Sequence, residues 1–324
     1  MDKNIAIARP KVSVSMITYN HEKFIAQAIE SVIKQKTDYA IEIVIGEDGS
    51  MDSTAEIINQ YIEKYPTLIR ARFNKTNIGM ASNFIKTLEE CSGKYIAVLE
   101  GDDYWTDENK LQIQVDYLEA NESIFGCFHD AANVDEKNNI IKEKYYTSPQ
   151  KLYNQKDALT ILKGSYASCS LLFRSCVIDN LPDWFLKTPN DFTLDLLITQ
   201  YGLLEYLPYN MSAYRIHQGG VWQGKDNISN IKGNMVRMLT LLNDPILNKA
   251  YKYELLSIIN TFKKEIALEY AQRNSCKRII YGVEWFVSSK NKDLKNFEIL
   301  LGLIFFPRLY RKAAQIVKRM KKKP

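Results

Sequence analysis

Histidine and cysteine are scarce in this chain. Three histidines (His21, His129, His217) and five cysteines (Cys91, Cys127, Cys169, Cys176, Cys276) are scattered over 324 residues. No histidine pair stands at metal-binding spacing and no CxxC occurs, so no structural zinc site is indicated, and an odd, dispersed set of cysteines gives no disulfide framework. A reducing compartment, the cytoplasm, is expected. Long apolar runs are also missing. Phe297 to Phe306 is a mostly apolar stretch of ten residues, too short to span a bilayer, and Met1 to Lys11 carries charges and Pro10 where a signal peptide would place an apolar core. Neither GxGxxG after the first apolar run nor GxxxxGK[ST] is present, which disfavours dinucleotide-binding dehydrogenases and P-loop enzymes. Internal repeats and low-complexity segments are absent as well.

What is present describes a folded, soluble protein with 46% hydrophobic and 25% charged residues, long enough for a substantial core. The net charge of +5 hides an asymmetry: residues 231–324 carry 20 Lys+Arg against 7 Asp+Glu, whereas residues 1–230 carry 23 against 31. An acidic portion joined to a basic tail points to an anionic surface as partner for the tail.

The first hundred or so residues alternate between two periodicities. Val12 to Ile17 is a short β-branched run that breaks at Thr18-Tyr19-Asn20, and Phe24, Ile25, Ala28, Ile29, Val32 and Ile33 then recur at helical spacing. The unit repeats: Ile41 to Ile45 breaks at Gly46-Glu47-Asp48-Gly49-Ser50, and Ser53-Thr54-Ala55-Glu56 has the pattern of a capping box opening a helix. Ile69 to Phe73 and Tyr95 to Leu99 read as further strands, Met80 to Cys91 and Asp107 to Asn121 as helices. Short links between alternating elements predict an α/β fold with a mostly parallel sheet covered on both faces. Downstream, Phe125 to His129, Ser168 to Phe173 and Leu204 to Leu207 (ending before Pro208) read as strands. Asp135 to Asn139 reads as a hairpin tip, and Thr193 to Tyr201 as a helix closed by Gly202. From Asn227 the chain reads as helical, with Pro245 opening a long helix whose stripe Leu255, Ile258, Ile259, Phe262, Ile266 and Tyr270 suits core packing.

Four strand ends carry the chemistry, because in such a sheet the carboxyl ends converge on one crevice. The densest is Val98 to Trp105, where Glu100, Asp102 and Asp103 follow an apolar run without a spacer. Crowded like charges are costly unless a cation sits among them or some are protonated, so two readings stand side by side: a divalent metal site, or a solvated acidic turn before a helix that Asp107 caps. Asp48 could accept from an N–H of a nucleotide base while Tyr19 offers a ring for stacking, and equally Asp48 and Asp52 could shape an Asx turn and a cap. Asn77 could bridge a ribose hydroxyl or a neighbouring loop, and Gly79 permits positive φ. Asp191 precedes the helix at Thr193 and reads either as a base or as its N-cap.

The order of Val14 to Asn20, Glu47 to Thr54, Asn77-Ile78-Gly79 with Asn83, and Leu99-Glu100-Gly101-Asp102-Asp103-Tyr104-Trp105 resembles family-2 glycosyltransferases of the GT-A fold. The likeness extends to Asn190-Asp191-Phe192-Thr193-Leu194 and to Tyr206-Leu207-Pro208, then Tyr214 to Trp222, about two-thirds of the chain. It implies an inverting transferase that moves a sugar from a nucleotide-diphosphate donor, a UDP-sugar foremost, to a saccharide or lipid-linked saccharide, with Mn²⁺ or Mg²⁺ as cofactor. The resemblance places Thr18, Tyr19 and Asn20 in the nucleotide pocket, Asp48 on the base, Asp102 on the metal and Asp103 beside it or on the donor sugar; Asn77 and Gly101 are further candidates for binding the donor. Asp191 takes the position of the general base. His217 is a candidate metal ligand, Arg215 a candidate for the diphosphate, and Trp222 a candidate cover for a sugar. One departure stands out: the first acid of the family's Asp-x-Asp is Glu100 here, whose longer arm still supplies an oxygen ligand or a ribose contact.

Residues 1–225 are expected to form the GT-A domain and 226–324 a helical region. Its tail, Arg308 to Lys323, sets Leu309, Ala313, Ile316, Val317 and Met320 on one helical face opposite basic residues, which suits an anionic membrane surface on the cytoplasmic side and equally a packing helix with a solvated basic end. Nucleic acid is not expected as partner, since no reader motif accompanies the charge. The competing expectation from another class is a non-catalytic nucleotide-sugar or saccharide-binding module docked on membrane through this tail.

Overall fold

The computed structural model describes residues 11–146, 150–162, 166–219, 226–273, 275–289, 296 and 299–300. The expected basic tail, residue 225 on the near side of the expected boundary, and Trp222 lie outside the described residues. The chain divides into two compact units between His217 and Gln218.

In the first unit, β1 (Val12–Thr18), α1 (Ile25–Ile33), β2 (Ile41–Glu47), α2 (Thr54–Lys64), β3 (Ile69–Phe73), α3 (Met80–Glu89) and β4 (Tyr95–Val98) follow one another as the periodicities require. These four strands lie parallel in the order β3-β2-β1-β4. Val12, Val14 and Met16 on one side of β1 and Ser13 and Ser15 on the other are all buried, so both faces of the sheet are covered. Gly101 makes the β1–β4 junction possible, because its N–H reaches Ile17 O at 2.9 Å and a Cβ there would stand 2.6 Å from Thr18 Oγ1.

The sheet then becomes mixed. After β5 (Tyr104–Trp105) and α4 (Lys110–Ala120) come β6 (Ile124–Val134), β7 (Ile140–Lys142), β8 (Leu152–Tyr153), the single turn α5 (Gln155–Asp157), β9 (Leu172–Arg174), α6 (Asp183–Lys187), α7 (Asp191–Tyr201) and β10 (Leu203–Arg215). The order continues β4-β9-β6-β10-β5, with β9 antiparallel to both neighbours and β10 parallel to β6. The polar stretch Asp135 to Asn139 is the β6–β7 tip, with Asp135 accepting from the backbone of Lys137 and Asn139.

Three local expectations are corrected. The strand expected over 168–173 starts only at Leu172: Ser168–Ser170 is a 3-10 turn, and its carbonyls are held by side chains, Cys169 O by Trp105 Nε1 at 2.9 Å and Ser170 O by Gln114 Nε2 at 2.9 Å. The strand expected to stop before Pro208 continues to Arg215, because a register shift between Leu207 and Asn210 lets a residue without an N–H sit outside the ladder. The capping box at Ser53 does not form; Asp52 Oδ1 accepts from Thr54 N at 3.0 Å instead.

The second unit contains α8 (Asn227–Asn243), α9 (Pro245–Gln272) and α10 (Lys277–Ser288). Pro245 opens α9 behind Asp244, whose carboxylate accepts from Ile246 N and Leu247 N. Ile228, Ile231 and Ile266 form its core with Phe262, Tyr270 and Tyr281 against them. No helix among the described residues is long and apolar enough to cross a membrane.

Candidate active site at the carboxyl ends of the strands

The site is assembled by loops that leave three adjacent strands. Asn20, just past β1, adopts a left-handed φ of 55°, which asparagine tolerates, and fastens itself to the loop after β2: its N–H donates to Ser50 Oγ at 2.9 Å and its Oδ1 accepts from Met51 N at 2.8 Å. Thr18 is buried and Tyr19 half-buried beside it. The carboxylate of Asp48 accepts from Asn74 Nδ2 and Ile78 N, each at 2.9 Å, and from Gly79 N at 3.0 Å. That occupies three of its roughly four lone-pair sites. Asp48 therefore organises the 74–79 loop and keeps about one acceptor position for a ligand. Gly79 has the positive φ expected of it, 88°, and Asn77 makes a local turn by accepting from Gly79 N at 2.9 Å.

The acidic motif leaves β4 and turns at once, with Asp103 N donating to Glu100 O. Its position is fixed by β5, which pairs antiparallel with Ser212 and Ala213 of β10 and so brings Arg215 and His217 over the acids. Arg215 N donates to Asp103 Oδ1 at 2.7 Å. Its guanidinium donates to Asp102 O, Asp135 O, Asn138 Oδ1 and Gln27 Oε1, and lies over the Phe24 ring at 4.6 Å. Arg215 thus clamps the motif from behind with most of its five donors engaged by protein.

The three acids occupy different electrostatic settings. Asp103 is buried, and that burial, followed by the charges of Asp102 and Glu100, pushes its carboxyl well above the usual range. Glu100 is raised to about 8 by burial and then by the charge of Asp191, with a hydrogen bond to Ser168 opposing. For Asp102, burial pushes upward but a hydrogen bond with His217 and the proximity of His21 prevail, holding it below the ordinary value. His217 Nε2 lies 3.0 Å from Asp102 Oδ2, and His21 Nε2 lies 3.7 Å from the same oxygen. Among the described residues His21, Asp102 and His217 offer ligand atoms that all lie within 4.8 Å of one another. Ligands sharing an ion with bonds of about 2.1 Å stand about 3.0–3.4 Å apart, so the His217 and His21 nitrogens, at 3.0 and 3.7 Å from Asp102 Oδ2, are near the spacing a divalent cation requires.

Asp191 is the first residue of α7, and the cap is Asn190, whose side chain accepts from Thr193 N at 3.0 Å while Thr193 Oγ1 accepts from Asn190 N. The N-cap alternative for Asp191 is thereby replaced. After burial, its charge raises the carboxyl of Glu100 and the phenol of Tyr145, and it adds to the rise of Tyr166, so it lies on the acidic motif's side of the site.

The family model for glycosyl transferase family 2 matches residues 13–181. The chain belongs to glycosyl transferase family 2. An uncharacterized protein of Mycobacterium tuberculosis is 33% identical over 211 residues, which is 65% of this chain and 60% of that protein; the match thus spans less than two-thirds of the relative's length. Among solved structures, S. aureus TarS in complex with UDP superposes with a TM-score of 0.57 at 15% identity, covering 93% of this chain and 88% of that one. A mannosyltransferase of Pyrobaculum calidifontis in complex with GDP-Man and Mn²⁺ gives 0.51 at 15% identity, covering 98% and 89%. The shared fold is GT-A, as the motif order implies.

Within this family-2 chain the structure brings Thr18, Asn20, Glu100, Gly101, Asp102, Asp103, Asp191, Arg215 and His217 to one end of the sheet, with Asp48 after β2 and Asn77 after β3 on two loops joined by the Asp48 carboxylate. The residue missed by sequence reasoning is His21. Helical or loop spacing could not pair it with His217, 196 positions away, but its place one residue past Thr18-Tyr19-Asn20 at a strand end, in a chain with three histidines, was a usable signal.

Proposed function

We propose that the chain is an inverting glycosyltransferase that uses a nucleotide-diphosphate sugar, a UDP-sugar foremost, and a saccharide or lipid-linked saccharide acceptor. The observation that carries this reading is the junction at one strand end of Asp102, faced by imidazoles, with Glu100, faced by Asp191. One corner suits a metal-bound diphosphate and the other a proton acceptor. TarS, which binds UDP, and the mannosyltransferase that binds GDP-Man with Mn²⁺ support a nucleotide-sugar donor.

In this reading Asp102 and His217 hold a divalent cation. When bound, that cation supplies Lewis-acid stabilisation, worth several kcal/mol, to the charge growing on the departing diphosphate. Thr18, Tyr19 and Asn20 line the nucleotide, and Asp48 offers its remaining acceptor position to a base N–H. Asp103 and Arg215 keep the Asp102 loop in place. Asp191 takes the proton from the acceptor hydroxyl as its oxygen bonds to the anomeric carbon, the C–O bond to the diphosphate breaks on the opposite face, and the configuration inverts. Glu100, beside it in the site, has its carboxyl pushed up by burial and then by the charge of Asp191.

The test is a panel of nucleotide sugars assayed for release of nucleoside diphosphate with Mn²⁺ or with EDTA. Metal-dependent release from one donor is expected; none from any donor overturns the reading. Asp191→Asn is expected to retain donor affinity and lose about 10² to 10⁴ in turnover. Equal loss of donor binding would assign Asp191 to the donor pocket instead.

A further inference from the structure

Asp102 faces two imidazoles rather than one, and both rings are held in place. His21 Nδ1 lies 3.2 Å from Thr18 Oγ1, which directs Nε2 toward Asp102. Its backbone is pinned on both sides: His21 N donates to Thr54 Oγ1 at 2.8 Å, and His21 O accepts from Phe24 N and Ile25 N at the start of α1. The His21 and His217 rings meet edge to face at 5.9 Å, with the Phe24 ring 6.5 Å from one and 5.0 Å from the other. At 3.7 Å the His21 to Asp102 distance is too long for a hydrogen bond, so that pair alone does not explain why the ring is aimed there.

We propose that His21 is a third protein ligand, so that the cation is held by two imidazoles and one carboxylate and the site selects a first-row transition ion over Mg²⁺. This rests on the reading of Asp102 and His217 as cation ligands. Imidazole nitrogens suit borderline transition ions, whereas Mg²⁺ prefers oxygens and retains its waters, so a second imidazole shifts the preference away from Mg²⁺. The Thr18 contact to the far ring nitrogen is the kind of outer hydrogen bond that orients a metal-bound histidine.

The experiment is electron spin echo envelope modulation on Mn²⁺ bound to the full chain with UDP present, which counts directly coordinated ¹⁴N and needs no variant. Two coordinated nitrogens are expected. One nitrogen overturns the role of His21 while leaving Asp102 and His217 in place, and Mn²⁺ that does not bind at all removes the underlying reading together with this one. In parallel, His21→Ala is expected to remove one ¹⁴N coupling, to weaken Mn²⁺ binding about ten- to a hundredfold, and to let Mg²⁺ in tenfold excess displace Mn²⁺ that the wild type retains. Unchanged Mn²⁺ affinity and unchanged Mg²⁺ discrimination in His21→Ala, against lost binding in Asp102→Asn, would overturn the proposal alone.

Discussion

Asp48 and Asp102 leave the two strands that flank β1, and both carboxylates sit in sheltered surroundings, yet their partners differ in kind. Asp48 is 2% exposed and surrounded by N–H donors from Asn74, Ile78 and Gly79, whereas the Asp102 side chain is 19% exposed and faces two histidines while repelling two acids. A carboxylate supplied with backbone donors stabilises the loop that supplies them. One that meets a single imidazole hydrogen bond beside two other acids contributes less to the fold and gains most when a cation arrives. The same residue type, on neighbouring strands, thus builds the site in one place and is expected to operate it in the other.

The contrast can be broken most sharply by exchanging effects. Asp102→Asn is expected to lower metal-dependent turnover by about a hundredfold or more, the loss of several kcal/mol of cation stabilisation, with stability lowered far less than by Asp48→Ala, because only the contact with His217 is given up. Nucleotide-sugar turnover and a melting curve on the same preparation check both halves. Asp48→Ala is expected to destabilise the fold by about 3 kcal/mol through buried N–H groups left without an acceptor, read from urea unfolding. A stability loss confined to Asp102→Asn would reverse the assignment.

A buried cation extends the comparison. Lys110 is fully buried, donates to Gln114 Oε1 at 2.6 Å and lies over Trp105 at 4.2 Å, and burial lowers its pKa to about 7 from 10.5. The folded protein therefore binds fewer protons than the unfolded chain between pH 7 and 10.5, so this group makes stability rise with pH across that window and adds no slope below it. Lys110→Met is expected to remove that slope, narrowing the difference between pH 7 and pH 10 by about 3–4 kcal/mol, as chemical denaturation at the two pH values will show. The smallest effect is expected at Gly101→Ala, where the added methyl would crowd Thr18 and Ile25. A loss of about 1–2 kcal/mol, with donor binding weakened through the displaced Thr18 and Asp102 loop, is the outcome to look for by unfolding and nucleotide titration.

How legible the molecule was in its sequence depended on the range of the interactions. The parallel half, β1 to β4, could be read from apolar runs and helical stripes because each element announces itself within about ten residues. The acidic motif and Asp191 could be found by their order in the chain. What could not be read came from contacts distant in sequence: the 3-10 turn at Ser168–Ser170 depends on Trp105 and Gln114, the passage of β10 through Pro208 depends on its register with β6, and the pairing of His21 with His217 depends on β5 joining β10. Arg215 shows the same limit. The resemblance offered it for the diphosphate, and its four protein acceptors from three separate segments could not be read from the sequence.

The difference between Asp48 and Asp102 is tested most directly by calorimetric titration of UDP into the full chain with Mn²⁺ and with EDTA. Binding about tenfold or more tighter with Mn²⁺ is expected in the wild type, and no Mn²⁺ effect in Asp102→Asn. Equal UDP affinity with and without Mn²⁺ in the wild type would mean that Asp102 anchors no cation for the nucleotide.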